Sequence, residues 1–417
     1  MAIMLFALYG MAVTPIVTIQ SPTSTTCGSY DVPVTVSDFK NVGAISMVLN
    51  FDPAVFAYQT PIGVAINQAI NPLDADINIG IPGQFKLGWN KATGITLVDN
   101  DVLFTLHFNL LPVNRTLVPL TNFTWSSIPG DCEFAGPGAS VYAGIFSPLV
   151  WTIPTRPVVN TNTNLEYCKI QDAIDAANPG NTITVAGGNY YEDILINKPI
   201  TLMGNNSGQS GCSNRTNSES RIYPLTNDAN PNSAASNPII YVTANNVTID
   251  GFTIDGSSGA SSTYVIEGVT VNSIEGIGAW DGVANLEIKN NIIQNLTDRG
   301  IDIYNWGNGG AMTTGNKVHH NKLFNINPLG LYSGAGAGVL VYNNAYTDIT
   351  NNCMDQVRIG IQTGNYSIAN ASNVSPVFAN NDIKSYKIGI WHNLAYGSTS
   401  TFSINNNQPS IYLKFNY

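Results

Sequence analysis

Charge is scarce in this chain. Of 417 residues only 11% are Asp, Glu, Lys or Arg, and 17 cations against 27 anions leave a formal net charge of −10. No basic cluster exists to neutralise a phosphate backbone, which argues against a nucleic-acid partner. A uronic-acid polymer would likewise find few cations to meet. Long apolar runs are missing too, and no segment approaches the ~20 residues that a membrane-crossing helix needs. The five cysteines, Cys27, Cys132, Cys168, Cys212 and Cys353, lack any CxxC spacing, so no zinc-type site is expected and no cofactor is implied. Helical periodicity is confined to one short stretch. Disorder is argued against as well, since 44% of the residues are hydrophobic. What is plentiful is Gly, Asn, Thr and Ser between short apolar runs, the composition of an all-β protein with polar turns.

The second half repeats an Asn-Asn step. Ile288-Lys289-Asn290-Asn291, Val318-His319-His320-Asn321, Ile349-Thr350-Asn351-Asn352 and Phe378-Ala379-Asn380-Asn381 follow one another at spacings of 30, 31 and 29 residues. A Gly-led repeat runs in phase with it: Gly268-Val269-Thr270, Gly300-Ile301-Asp302, Gly338-Val339-Leu340, Gly360-Ile361-Gln362 and Gly389-Ile390-Trp391. Each unit is too short to bury a face alone, and stacking in register is the physical solution, which predicts a parallel β-solenoid. Asn suits the corners because it tolerates left-handed backbone angles and its amide bonds the amide one coil away. Val247-Thr248-Ile249-Asp250-Gly251 continues the series, with Asp250-Gly251 where later coils carry the Asn pair. Ile170, Ala173, Ile174 and Ala177 recur at helical spacing just before Pro179-Gly180.

The first part alternates with period two in short runs such as Val32-Pro33-Val34-Thr35-Val36, which predicts an antiparallel β-sandwich over 13–150. Asn41-Val42-Gly43-Ala44-Ile45-Ser46-Met47-Val48-Leu49-Asn50-Phe51-Asp52-Pro53, Phe85-Lys86-Leu87-Gly88-Trp89-Asn90 and Leu97-Val98-Asp99-Asn100-Asp101-Val102-Leu103-Phe104 resemble the strands of cohesin modules, with related carbohydrate-binding sandwiches sharing parts of the pattern. That resemblance implies an assembly role with a dockerin-like partner. Residues 151–164 read as a Pro-then-polar linker. From Ile170-Gln171-Asp172-Ala173-Ile174 through Tyr190-Tyr191-Glu192 to Gly204, the chain resembles the opening of pectin-lyase-like right-handed β-helix proteins. The resemblance implies a right-handed parallel β-helix over 165–417, with a short N-terminal capping helix. Its C-terminal end is read as truncated, because Leu413-Lys414-Phe415 carries no polar cap. Residues 1–12 read as a truncated secretory signal, so the protein is expected to be secreted or at the cell surface. In that setting one bridge per domain is the natural pairing, Cys27–Cys132 and Cys168–Cys212, with Cys353 left over.

Function is placed on the outward side of the Gly-led strands. Thr270, Asp302, Leu340, Gln362 and Trp391 form one outward column, and Asn272, Tyr304, Tyr342, Gly364 and Asn393 a second. Asp302, Tyr304, Trp306, Tyr342, Gln362 and Trp391 are the candidate polysaccharide contacts, since rings cover sugar faces and amides bond hydroxyls; Trp280 is a further wall. Catalytic candidates are weaker: Asp302 with Arg299 and Lys387 as a cationic edge. The paired-aspartate and Gly-His-Gly pattern of polygalacturonases, the Arg motif of pectate lyases and the Asp-Pro-His motif of mannuronan epimerases are absent. Polysaccharide recognition is therefore the leading expectation. A divergent lyase or glycoside hydrolase and a structural spacer or adhesin stalk are the alternatives. Asp74-Ala75-Asp76 and Asp99-Asn100-Asp101 read as turns rather than calcium loops, and His319-His320 as a corner and its exposed neighbour rather than a metal site.

Overall fold

The computed structural model describes residues 14–60, 63–70, 75–138, 140–226, 229–230, 237–257, 264–305, 312–330, 336–364, 377–393, 403–405, 408–409 and 413–416. The expected signal segment 1–12, Asp74 and Trp306 lie outside the described residues. The chain divides into two compact units, residues 1–156 with 164–166, and residues 157–163 with 167–417.

The first unit is a two-sheet sandwich. One sheet runs Ile145–Ser147, Ile16–Ile19, Ser29–Ser37, Asp101–Leu110, Phe56–Tyr58; the other runs Val141–Tyr142, Glu133–Ala135, Val42–Asn50, Leu120–Trp125, Leu149–Thr152, with Gln84–Ile95 also on Val42–Asn50. Alternation explains the packing. Val32, Val34 and Val36 turn inward from one sheet to meet Ile45, Met47 and Leu49 from the other, around a centre of Phe85, Phe104, Phe108 and Phe123. The stretch read as a linker is ordered at both ends. Trp151 and Thr152 pair with Thr121 and Leu120, and Val158–Asn160 pairs antiparallel with residues 183–185 of the second unit. Its prolines, Pro154 and Pro157, fall between the two strands, where no ladder N–H is required.

In the second unit, parallel strands collect into three stacks. The first holds Ile200–Met203, Thr248–Asp250, Glu287–Lys289, Thr313–His319, Ala345–Thr350 and Val377–Ala379. The second holds Gly188–Tyr191, Ser220–Tyr223, Thr253–Asp255, Ile292–Leu296, Lys322–Ile326 and the start of Cys353–Gly364. The third holds Ile194–Ile196, Ile240–Val242, Glu275–Ala279, Arg299–Tyr304, Ala337–Tyr342 and the ends of Cys353–Gly364 and Asp382–Asn393. Each pass of the chain visits the stacks in that order and buries one or two aliphatics per stack, for example Ile288, Ile293 and Ile301.

The Asn-Asn step makes the corner between the first and second stacks. Asn290, His320, Asn351 and Asn380 all have positive φ, 55° to 57°, the left-handed conformation that Asn adopts at least cost. The next residue turns inward. Asn321 Oδ1 accepts from the Asn291 backbone N–H at 2.9 Å, and Asn352 Oδ1 and Asn381 Oδ1 accept likewise from Asn321 and Asn352 at 2.9 and 3.0 Å. The same amides donate to the main-chain carbonyls of Ile288, Val318 and Ile349. A second corner, absent from the sequence reading, stacks Asp255, Asn295 and Asn325, with Asn295 Nδ2 donating to Asp255 Oδ1 at 2.7 Å and Asn325 Nδ2 to Asn295 Oδ1 at 2.8 Å.

The glycine repeat has a steric cause. A Cβ on Gly276 would lie 2.6 Å from the Gly300 carbonyl, one on Gly300 2.6 Å from that of Gly338, one on Gly338 2.8 Å from that of Gly360, and one on Gly360 2.5 Å from that of Gly389. Gly276 therefore leads the series, not Gly268. Glu267 and Gly268, both at positive φ, form the two-residue turn between the antiparallel strands Val265–Ile266 and Val269–Thr270, and the φ pattern is that of a hairpin turn. Thr270 is removed from the outward column, and Gly278 holds that position beside Asp302.

The one described α-helix, Ile170–Ala176, packs Ile170, Ala173 and Ile174 inward. Its first turn is capped from a distance: the Glu192 carboxylate accepts from the backbone N–H of Ile170 and Gln171, both at 2.9 Å.

Cysteine pairing departs from expectation. Cys212 bonds Cys353, Cα to Cα 5.7 Å across 141 residues of sequence. Cys27 and Cys168 are both disulfide-bonded, and Cys132 is free. The expected Cys27–Cys132 and Cys168–Cys212 bridges are therefore wrong. Cys353 is half-buried on its stack rather than in the core, and the insertion after Gly204 reaches across to it. The Gly211 N–H donates to the His320 carbonyl at 2.8 Å, and the Arg215 guanidinium binds the Asn290 carbonyl. The insertion thus lies as a strap over successive corners.

Candidate functional site

The outward columns of the third stack are in register. Asp302, Leu340, Gln362 and Trp391 align in one, and Tyr304, Tyr342, Gly364 and Asn393 in the other. Between them opens a cavity of about 240 Å³ lined by Arg299, Tyr304, Leu340, Tyr342, Asn343 and Gln362. Gly364 leaves the coil beside Tyr342 without a side chain. Asn343 and Asn344, both at positive φ, turn the chain at the end of the strand and bring the Asn343 amide to the rim. The aromatic run extends toward the helix-capped end: Trp280 stacks on Tyr304 with ring centres 5.9 Å apart and planes at 10°, and Tyr241 lies 5.0 Å from Trp280. Tyr241 donates its hydroxyl to Asp281 at 2.6 Å, and burial together with that carboxylate pushes the phenol up to about 12. Tyr304, Tyr342 and Trp391 pack partly buried against Ala337, Leu340, Ile359 and Ile388.

Behind this wall lies a charged cluster. Arg299 Nη1 meets Asp302 Oδ2 at 2.6 Å and Glu275 Oε1 at 3.0 Å, and its Nε meets Asp298 Oδ2 at 3.3 Å. Asp302 is 0% exposed and Glu275 2%. Burial pushes the Asp302 carboxyl up to about 7, against the lowering influence of Arg299. Burial and then the neighbouring Asp302 hold Glu275 well above the usual carboxylate range. Burial alone would lower the Arg299 guanidinium, but Asp302, Asp298 and Glu275 together hold it above its ordinary value. Three carboxylates around one guanidinium cannot all ionise cheaply, so the cluster retains a proton near neutral pH.

Tyr304, Tyr342, Gln362 and Arg299 thus come together around one cavity. Asp302 does not join them at the surface. It points away from the aliphatic core, as its column required, yet it is covered and consumed in the ion cluster. Lys387 is exposed and is not among the lining residues. Glu275 escaped the sequence reading, although Glu275-Gly276-Ile277 stands in the same frame as Arg299-Gly300-Ile301; taking Gly268 as the in-phase glycine hid it. His320 sits in the left-handed corner column, with His319 Nδ1 2.9 Å from its Nδ1 and His319 Nε2 3.1 Å from Glu287 Oε1. Asp99 Oδ1 accepts from the Asp38 N–H and Asp101 Oδ2 from the Val98 N–H, so both carboxylates are occupied in turns.

Comparison with known proteins adds context. A family described as a protein of unknown function (DUF1565) matches residues 160–333, less than half of the chain. A cell surface glycoprotein of Methanothermus fervidus is 31% identical over 187 residues, covering 36% of this chain; the chain spans 28% of that relative's length. Similar solved structures include a non-cellulosomal cohesin from Archaeoglobus fulgidus, at 18% identity and a TM-score of 0.27, covering 34% of this chain and 92% of that one. A type I cohesin from Pseudobacteroides cellulosolvens is similar at 16% identity and a TM-score of 0.28, with the same coverages.

Proposed function

We propose that the second unit is a right-handed parallel β-helix whose third stack binds polysaccharide without cleaving it, in a protein at the cell surface. The observation that carries the binding reading is the cavity bounded by Tyr304 and Tyr342 with the Gln362 and Asn343 amides at hand. It offers flat apolar area for a sugar face beside polar groups for its hydroxyls. Trp391, one coil beyond Gln362, would extend the contact. The handedness is supported by the parallel order of the strands, since crossovers between parallel strands in one sheet are right-handed in about 98% of cases. The capping helix is consistent with it.

Catalysis is the weaker reading on physical grounds. A hydrolase needs two carboxyls reaching the scissile bond, and a lyase needs a cation free to hold the substrate carboxylate. Asp302 and Glu275 are buried, and Arg299 is engaged by both of them and by Asp298. The surface location is supported by the disulfide-bonded Cys27, Cys168, Cys212 and Cys353, bonds that persist in oxidising surroundings. A dockerin-like partner for the first unit rests on the sequence resemblance of residues 41–53 and is tested by direct binding to dockerin modules.

The test is a glycan-array screen of the full chain, with product release assayed on every polysaccharide bound. Binding weakened about tenfold or more by Tyr304→Ala or Tyr342→Ala, with no product, is expected. Product release lost on Asp302→Ala would instead establish an enzyme. Folded protein that binds no glycan sinks the recognition reading.

A further inference from the structure

We infer that this site takes an uncharged glycan and turns away uronic-acid and sulfated ones, an inference that rests on the glycan-binding reading above. Among the described residues the cavity wall holds one cation, Arg299. Its guanidinium is already bound by Asp302, Glu275 and Asp298 at 2.6, 3.0 and 3.3 Å. An arriving carboxylate or sulfate therefore meets an anionic surplus rather than a free positive charge, and like charges brought together repel. The chain as a whole, at −10, adds to that field. The remaining polar atoms agree. Gln362, on the cavity wall, keeps its Oε1 as a buried acceptor with no hydrogen-bond partner among the described residues. Such atoms call for donors; a sugar hydroxyl can donate, whereas a carboxylate or sulfate only accepts. Tyr304, Tyr342 and Leu340 ask for C–H faces, which neutral sugars present equally well.

The experiment measures equilibrium binding of the full chain to polymer pairs that share a backbone and differ in charge. Fully methyl-esterified galacturonan is set against its de-esterified form, and a neutral galactan against its sulfated form. A broader panel of neutral and anionic polysaccharides accompanies them. In each pair that binds, the neutral member should bind at least about tenfold more tightly at low salt, and the gap should narrow as salt screens the repulsion. Asp298→Asn takes one carboxylate from Arg299 and should raise the affinity for the anionic member several-fold; Asp298→Ser serves the same purpose if Asp298→Asn does not fold. Equal or tighter binding of the anionic member overturns the charge selection and leaves glycan binding standing. Absence of binding across the whole panel overturns both.

Discussion

Replacing Asn321 with alanine removes a central member of the corner column, and its cost follows from the bonds lost. Asn321 Oδ1 accepts from the Asn291 backbone N–H at 2.9 Å and from Asn291 Nδ2 at 3.2 Å. Its Nδ2 donates to the Ile288 carbonyl at 2.9 Å and to Asn352 Oδ1 at 3.0 Å. Two of the four losses are cushioned, because Asn291 Nδ2 keeps the Ile249 carbonyl and Asn352 Oδ1 keeps the Asn321 N–H. The Ile288 carbonyl keeps its place in the parallel ladder with residues 317–319, so the uncushioned loss is that of the Asn291 N–H, at a position with 0% exposure. At about 1–3 kcal/mol for a buried group left unsatisfied, Asn321→Ala should destabilise by about 1–3 kcal/mol. Asn189→Ala, on an exposed strand position, should stay within about 0.5 kcal/mol. Urea unfolding compares the two variants, and amide hydrogen exchange localises the effect, because stacked coils can unfold piecewise and blur a global midpoint. Exchange should quicken first at Asn291. Equal midpoints for the two variants, with Asn291 still protected, would refute the view that side-chain amides hold this corner.

Stability should fall as pH rises through neutrality. The Asp302 and Glu275 carboxyls are held above their unfolded values, so the folded state binds their protons more tightly. The Asp302 contribution, on the order of 4 kcal/mol, is full below the ordinary carboxylate range and is lost as pH passes about 7, and that of Glu275 is lost in the same direction as pH rises; thermal melts from pH 5 to 8 should show the fall, and Asp302→Asn should reduce it. Gly300→Ala should cost about 1–3 kcal/mol, because the new methyl would meet the Gly338 carbonyl, Leu323 and Ile326 within 2.8 Å; an unchanged melting temperature would show that the coils can separate. Loss of the Cys212–Cys353 bridge by double substitution to Ser should cost about 2–4 kcal/mol, and reductant should then no longer lower the melting temperature by that amount.

The stacked architecture was legible because its signals are local and repeated. A column of Asn at a left-handed corner and a column of Gly at a close approach each follow from backbone sterics, and neither depends on what lies across the fold. The errors share the opposite character. Gly268 fits the repeat as well as Gly276 does, and only the pairing of Val265–Ile266 with Val269–Thr270 shows that it closes a hairpin. The bridge between Cys212 and Cys353 joins an insertion to a coil 141 residues away, so no count of cysteines per domain would find it. The second corner, Asp255, Asn295 and Asn325, was passed over because its asparagines occur singly.

The candidate site adds a subtler reason. Alternation along Arg299–Tyr304 assigns Asp302 to the side away from the aliphatic core, and that assignment is geometrically sound. Outward is not the same as exposed. On a stacked sheet each residue has a neighbour one coil above and one below, so a short acid beside a longer side chain is roofed by it. Asp302 lies in register with Gly278 on one side and Leu340 on the other, and Arg299, three residues earlier, folds back over it. A short side chain in such a column therefore becomes structure, while the long ones beside it, Tyr304, Tyr342 and Gln362, line the cavity. The charge that the sequence offered as chemistry is spent on neutralising itself, and what is left at the surface is aromatic and amide, which is why recognition is a better reading of this face than catalysis.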